Sequence, residues 1–203
     1  MRIGQACQCI AQARGERVIV ATMGAMFALD ALGVSEARLS SVPLMGGAAS
    51  LGLGLSLANP EVGVIVIDGD ASLLMQLGGL VSVADNAPRR FLHFVVQNGT
   101  QFTGASNLGV PGGKDVDFGA LARAAGYTRA LRIDTVEALA EALPLLLQED
   151  GPAFAALVVD AEPSQFGADR PQPELPDRQF QRMGLEAEQL ASWYAAKTGA
   201  AAS

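Results

Sequence analysis

Val62-Gly63-Val64-Ile65-Val66-Ile67-Asp68-Gly69-Asp70-Ala71-Ser72 is the stretch from which the architecture can be read. Its first half is apolar and rich in β-branched side chains, with no alternation of polar and apolar positions, as a strand covered on both faces requires. Two aspartates around a glycine then break the run, and a helical pattern follows. A strand, an acidic turn and a helix begin a βα unit of a parallel sheet.

The same logic extends outward. Val18-Ile19-Val20-Ala21, Phe91-Leu92-His93-Phe94-Val95-Val96 and Phe154-Ala155-Ala156-Leu157-Val158-Val159 are further short apolar runs. Between and beside them, helices are predicted over 3–13, 73–86, 117–125 and 135–148, the last capped by Asp134 or Thr135 with Leu139, Leu143 and Leu146 or Leu147 on one face. Alternating strands and helices imply right-handed crossovers and a doubly wound, mainly parallel α/β sheet with helices on both faces. Ligands then belong beyond the carboxyl ends of the strands.

Leu51-Gly52-Leu53-Gly54-Leu55-Ser56-Leu57 alternates with period two and reads as a strand on pattern alone. The preceding Gly46-Gly47-Ala48-Ala49-Ser50 favours a helix of small residues that another backbone or a ligand can approach closely. Residues 1–162 are expected to form one domain. Residues 163–203, with Pro171, Pro173 and Pro176 among charges and a helix expected over 184–197, read as an extension lying on the surface or on a partner, frayed from Gly199.

Half of the 203 residues are hydrophobic, enough for one α/β core. A net charge of −7 with scattered basic residues offers no footprint for nucleic acid or an anionic membrane. Gln5, Gln8 and Gln12 interrupt any apolar leader, and no other run is long enough to span a bilayer, so a cytoplasmic protein is expected. Cys7 and Cys9, with a single histidine in the chain, do not make a zinc or cluster set and are read as reduced thiols.

The chemistry concentrates where two strands end. Gly69-Asp70-Ala71-Ser72 follows one strand and Gln97-Asn98-Gly99-Thr100 the next, and one crossover between them places Asp70 and Asn98 at the same edge on neighbouring strands. A carboxylate, an amide oxygen and a backbone carbonyl are hard donors suited to Mg2+, which seldom accepts an all-protein cage and is usually completed by phosphate oxygens. A diphosphate ligand is the resulting expectation, with Ala71 and Ser72 opening the following helix beneath it.

Gly69-Asp70-Ala71, then Asn98-Gly99-Thr100 after about twenty-five or more residues, resembles the cofactor fingerprint of thiamine-diphosphate (ThDP) enzymes. The flanking Val66 to Met75 and Met45 to Gly54 look like the small beta subunits of sulfopyruvate decarboxylase and phosphonopyruvate decarboxylase-like proteins, the likeness running over residues 17–160. The resemblance implies the ThDP-binding fold, with Mg2+ on Asp70, Asn98 and the Thr100 carbonyl, and Ser72 with nearby amides on the diphosphate. It also implies that Met45 props the cofactor in its bent form, that the Pro43 carbonyl meets the pyrimidine amine, and that Met23-Gly24, Gln101 and Phe102 approach the cofactor.

Four positions depart from the pattern: Ala71 replaces a second glycine, Gln97 replaces the first asparagine of a pair, and Gln101-Phe102 replaces an aromatic-glycine pair. None removes a metal ligand. The resemblance also calls for an activating glutamate from a pyrimidine-binding domain, and no glutamate here stands at a strand end in such a context. It therefore implies a pyrimidine-binding alpha subunit, an α2β2 or α4β4-like assembly, and decarboxylation of a small 2-oxo acid. A ThDP-dependent carboligase subunit, a non-catalytic ThDP-binding regulatory subunit and a phosphate-binding α/β domain unrelated to thiamine are the other readings.

Outside these motifs the bland reading is preferred. His93 is mid-strand between apolar neighbours and reads as a hydrogen-bonded core histidine. Lys114 reads as a solvated loop lysine, and Arg89-Arg90 after Pro88 as a surface turn.

Overall fold

Six parallel strands form the sheet, in the order β2-β1-β3-β4-β8-β7: β1 (Val18–Ala21), β2 (Arg38–Ser40), β3 (Val64–Gly69), β4 (Phe91–Gln97), β7 (Arg129–Ile133) and β8 (Ala153–Val158). A separate antiparallel hairpin, β5 (Thr100–Thr103) and β6 (Ser106–Gly109), rises from the end of β4. This computed structural model describes residues 1–103, 106–162 and 174–198, without the side chains of residues 102, 103, 106, 107, 114 and 198. The expected 163–173 segment and frayed end from Gly199 lie outside the described residues.

The apolar strands are buried on both sides because successive side chains point to opposite faces. Ile65 and Ile67 pack with α1 (Ile3–Ala13), α2 (Met23–Ala31) and α7 (Val136–Gln148). Val64 and Val66 pack with α3 (Ala48–Ala58), α4 (Asp70–Met75), α5 (Gly78–Asn86) and α6 (Phe118–Ala125). Two apolar layers thus sandwich one sheet, the doubly wound architecture expected.

The ambiguous small-residue segment is helix α3. Its Gly52 lies so close to the sheet that a Cβ there would stand 2.5 Å from Val66 Cγ2 and 3.3 Å from the Phe91 ring, so glycine sets the helix-to-sheet distance. The cap of α7 is Thr135, whose hydroxyl accepts the Ala138 N–H at 3.1 Å.

Three expectations need correction. The single helix over 73–86 is two helices, α4 and α5, separated at Gln76, whose backbone (φ −143°, ψ 57°) is not helical. The last helix, α8 (Pro176–Thr198), begins eight residues before the expected 184 because a proline suits a first helical turn. It also packs on the edge strand β2: Glu186 accepts the Ser40 N–H at 2.5 Å and the Ser40 hydroxyl at 3.0 Å. A side chain thereby covers a strand edge that would otherwise present unpaired backbone groups. Finally, α2, β2, β7 and the β5–β6 hairpin carry no strong apolar period and were not anticipated.

Candidate active site at the carboxyl ends of the strands

A cleft of about 210 Å3 opens beyond the carboxyl ends of β1, β3, β4 and β8. Thr22, Met23, Gly24, Ala25 and Phe27 line it from α2 and its cap, Gly69, Asp70, Ala71 and Ser72 from the β3–α4 turn, and Val96, Asn98, Thr100 and Gln101 from the end of β4. Met45 reaches it from the loop before α3. It lies where chain connections leave β1 in opposite directions, the usual ligand crevice of this architecture.

Asp70 and Asn98 are brought together as the crossover required. β3 and β4 are parallel neighbours with Gly69 opposite Val96. Asp70 is 2% exposed, its Oδ1 accepting the Ala71 N–H at 2.8 Å and its Oδ2 the Gly99 N–H at 2.7 Å. Gly99 makes that approach in the left-handed region (φ 72°), which a side chain would disfavour. Burial pushes the Asp70 carboxyl upward, while the amides of Gly99, Ala71 and Asn98 pull it back.

Among the described residues no cation pairs with this buried carboxylate. Each of its oxygens retains a second lone pair. The Asn98 amide oxygen accepts the Thr100 N–H at 2.9 Å and likewise keeps a lone pair. In the hairpin, Gly99 O accepts from Val110 N, which makes Thr100–Gly109 a non-hydrogen-bonded pair and leaves the Thr100 carbonyl outside the ladder. Among the described residues no three His, Cys, Asp or Glu side chains cluster as a metal set. The donors therefore fit a hard divalent cation only if a ligand such as a diphosphate supplies the remaining oxygens.

The other anticipated residues divide. Ala71 is the second residue of α4, so its Cβ meets no left-handed strain; its N–H is engaged by Asp70 rather than turned to the cleft. The Ser72 hydroxyl accepts the Gly46 N–H at 2.9 Å and keeps its own proton to donate. Gln97 is fully buried and structural, its Nε2 donating to Val116 O at 3.0 Å. Pro43 lies in the loop before α3 and is not among the cleft-lining residues. Phe102 belongs to β5, with its side chain outside the described residues, as is that of Lys114.

Asp160 and Glu162, just beyond β8, line the cleft and were not foreseen. Only their position one and three residues past an apolar run could have flagged them. Away from the cleft, Cys7 is buried and free, its thiol pushed up to about 12 by burial. Arg89 pairs with Asp150 at the surface.

Fold and cleft define a doubly wound α/β domain whose ligand crevice holds a buried carboxylate, an amide oxygen and no basic side chain among its described residues. Residues 38–157 match the family described as thiamine pyrophosphate enzyme, C-terminal TPP binding domain, and the chain belongs to that family. TPP and ThDP are the same molecule, so an α/β phosphate-binding domain unrelated to thiamine is ruled out.

The chain is 32% identical over 159 residues to a phosphonopyruvate decarboxylase of Streptomyces viridochromogenes, covering 78% of this chain and 39% of that protein. It is 36% identical over 115 residues to sulfopyruvate decarboxylase subunit beta of Methanothermobacter thermautotrophicus, covering 57% of this chain and 58% of that subunit. The match thus spans about two-fifths of the decarboxylase and under two-thirds of the subunit. A solved structure of a thiamin diphosphate-dependent enzyme from Mycobacterium smegmatis has the same fold, with a TM-score of 0.68 at 17% identity over 79% of this chain and 32% of that one.

Proposed function

We propose that this chain is the Mg2+- and ThDP-binding subunit of a two-subunit 2-oxo acid decarboxylase of the sulfopyruvate or phosphonopyruvate type. The observation that carries the reading is the buried Asp70 carboxylate, which pairs with no basic side chain among the described residues, beside Asn98 at the mouth of the cleft. Asp70, Asn98 and the Thr100 carbonyl would hold Mg2+, and the Ser72 hydroxyl would donate to the diphosphate. Met45, Met23, Gly24 and Gln101 would shape the cavity around the rings, with Pro43 and Phe102 contributing from the adjoining loops. When bound, ThDP supplies the electron sink for loss of CO2.

The charge of the cleft supports both a metal and a partner. Asp70, Asp160 and Glu162 line it, and no Lys, Arg or His does so among the described residues. A diphosphate brought there needs a cation between it and Asp70. A sulfonate or phosphonate on the substrate would likewise need positive charge from outside this lining.

Beside the cleft, Leu44, Met45, Met75, Leu77 and Val81 are exposed apolar side chains, Met75 by 53% and Val81 by 59%. Gly46 abuts Gln76 and Met75, so the two loops form one patch. Such a patch next to a cofactor site suits a covering pyrimidine-binding alpha subunit that brings the activating glutamate, in an α2β2 or larger assembly. No described helix is long and apolar enough to cross a membrane.

Calorimetric titration of the chain with ThDP, with and without Mg2+, tests the binding reading. Reconstitution with the alpha subunit, followed by CO2 release from a series of 2-oxo acids, tests the activity. Absence of Mg2+-dependent ThDP binding both alone and in the complex would overturn it. Formation of acyloin rather than aldehyde would select the carboligase reading instead.

A further inference from the structure

Beneath the cleft, three polar side chains meet inside an otherwise apolar layer. Asp68, His93 and Tyr127 are 1%, 0% and 4% exposed. Asp68 and His93 share one face of the sheet, since Val66 is opposite His93 and Asp68 opposite Val95 in the β3–β4 register, and Tyr127 packs in the apolar layer on that face. Asp68 Oδ1 accepts the Gly69 N–H at 2.8 Å, and Asp68 Oδ2 lies 3.7 Å from His93 Nε2. Neither Oδ2 nor Nε2 has a hydrogen-bond partner among the described residues. On the other side of the ring, His93 Nδ1 is 3.1 Å from the Tyr127 hydroxyl. Phe91 and Phe154 pack edge-on against the imidazole.

A neutral imidazole has one donor and one acceptor nitrogen. With the proton on Nε2, the ring N–H faces the Asp68 carboxylate across 3.7 Å, an electrostatic contact longer than a hydrogen bond, and Nδ1 accepts from the Tyr127 O–H. With the proton on Nδ1, an Nε2 lone pair faces a carboxylate in the core, which is repulsive. Burial and the nearby Asp68 charge both push the Tyr127 hydroxyl upward, keeping it protonated as a donor.

Three polar groups in a core are costly relative to apolar ones of the same shape, and one of them, Asp68, directly precedes the Gly69 turn that carries Asp70. We propose that Asp68, His93 and Tyr127 form a buried positioning chain. His93, protonated on Nε2 and accepting from Tyr127, steadies Asp68, which fixes the Gly69 turn and so aims the Asp70 carboxylate. The inference rests on Asp70 being a metal ligand, and it makes His93 and Tyr127 positioning residues for that site.

The chain contains one histidine, so an imidazole 15N–1H correlation spectrum reports His93 alone. The Nε2–H tautomer is expected in the wild type. In Asp68→Asn the side-chain amide donates to Nε2, so the proton moves to Nδ1. An Nδ1–H tautomer in the wild type, or no switch in Asp68→Asn, overturns the positioning chain. His93→Leu is expected to weaken Mg2+ affinity in the presence of ThDP about tenfold in folded protein. His93→Gln, whose amide N–H can reach Asp68, restores most of it, and Tyr127→Phe gives an intermediate loss. A purely structural role would lower Tm in these variants without moving the metal affinity. Equal affinities in wild type and His93→Leu overturn the positioning role alone, whereas a wild type that binds no Mg2+ with ThDP overturns the metal site as well.

Discussion

Asp70 and Gly99 are joined across the ends of two neighbouring strands: the carboxylate Oδ2 accepts the glycine N–H at 2.7 Å. This one bond ties the β3–α4 turn to the β4–β5 turn and holds the two proposed metal-bearing segments in a fixed relation. Its removal should be felt by the ligand before it is felt by the fold. Asp70→Ala is expected to weaken Mg2+-dependent ThDP binding at least about a hundredfold while leaving the far-ultraviolet circular dichroism unchanged. Unchanged affinity by calorimetry would exclude Asp70 as a ligand.

The pH dependence follows from the direction in which burial moves Asp70. Its folded-state pKa lies above the ordinary carboxylate value, so the folded apo chain holds this proton more tightly than the unfolded chain does. The stabilising contribution is therefore present at low pH and lost as pH rises through the raised value. Mg2+ competes with the same proton. Metal affinity, and the rise in Tm that Mg2+ with ThDP produces, should both fall as pH is lowered into a window that begins above the usual carboxylate range. A flat profile through that window would contradict direct ligation.

Met45 is 43% exposed and reaches the cleft from the loop before α3, so its truncation removes little packing. Met45→Ala should change chain stability by less than about 1 kcal/mol. In the reconstituted enzyme it should lower kcat more than it changes Mg2+ affinity, because a prop acts on the shape of the bound cofactor. An effect confined to metal affinity would assign Met45 a different role.

Among the described residues, Glu162 is the glutamate that lines the cleft. If the activating acid comes from the alpha subunit, the chain alone binds ThDP without turnover and addition of the partner generates activity. Removing the partner's strand-end glutamate should then cost about a thousandfold or more in kcat. Full-rate decarboxylation by the purified chain, abolished by Glu162→Gln, would place the acid here and refute the split site.

The edge of the sheet offers a stability test separate from the cofactor. Arg38 is 3% exposed and bonded to Asp30 at 2.8 Å, with Glu186 of α8 3.9 Å away and closing on Ser40. Glu186→Ala leaves the Ser40 N–H without its acceptor and removes the more distant carboxylate of Arg38, which keeps Asp30. A loss of about 1–3 kcal/mol is expected in urea unfolding, together with faster hydrogen exchange at Ser40. Unaltered exchange would show that α8 does not protect β2.

The parallel strands β1, β3, β4 and β8 were legible in the sequence because burial on both faces demands continuous apolar runs. Asp70, Asn98 and Thr100 were legible as candidate ligands because each lies two to four residues beyond such a run. The edge strands β2 and β7 were not: Arg38-Leu39-Ser40 is buried by an ion pair and by α8, and Arg129 to Ile133 is partly exposed, so neither carries an apolar period. The break at Gln76 was hidden for a similar reason, since Leu73 and Leu80 share one apolar layer across two helices.

Local physical chemistry thus determined the covered sheet, the acidic turn and the amide turn, because strand burial and turn chemistry act between residues close in the chain. Only the tertiary structure decided that His93 faces Asp68, that Asp160 and Glu162 join the cleft, and that α8 returns to seal β2. Those contacts pair residues distant in sequence, and their energies depend on distances and burial that exist only once the sheet has closed around them.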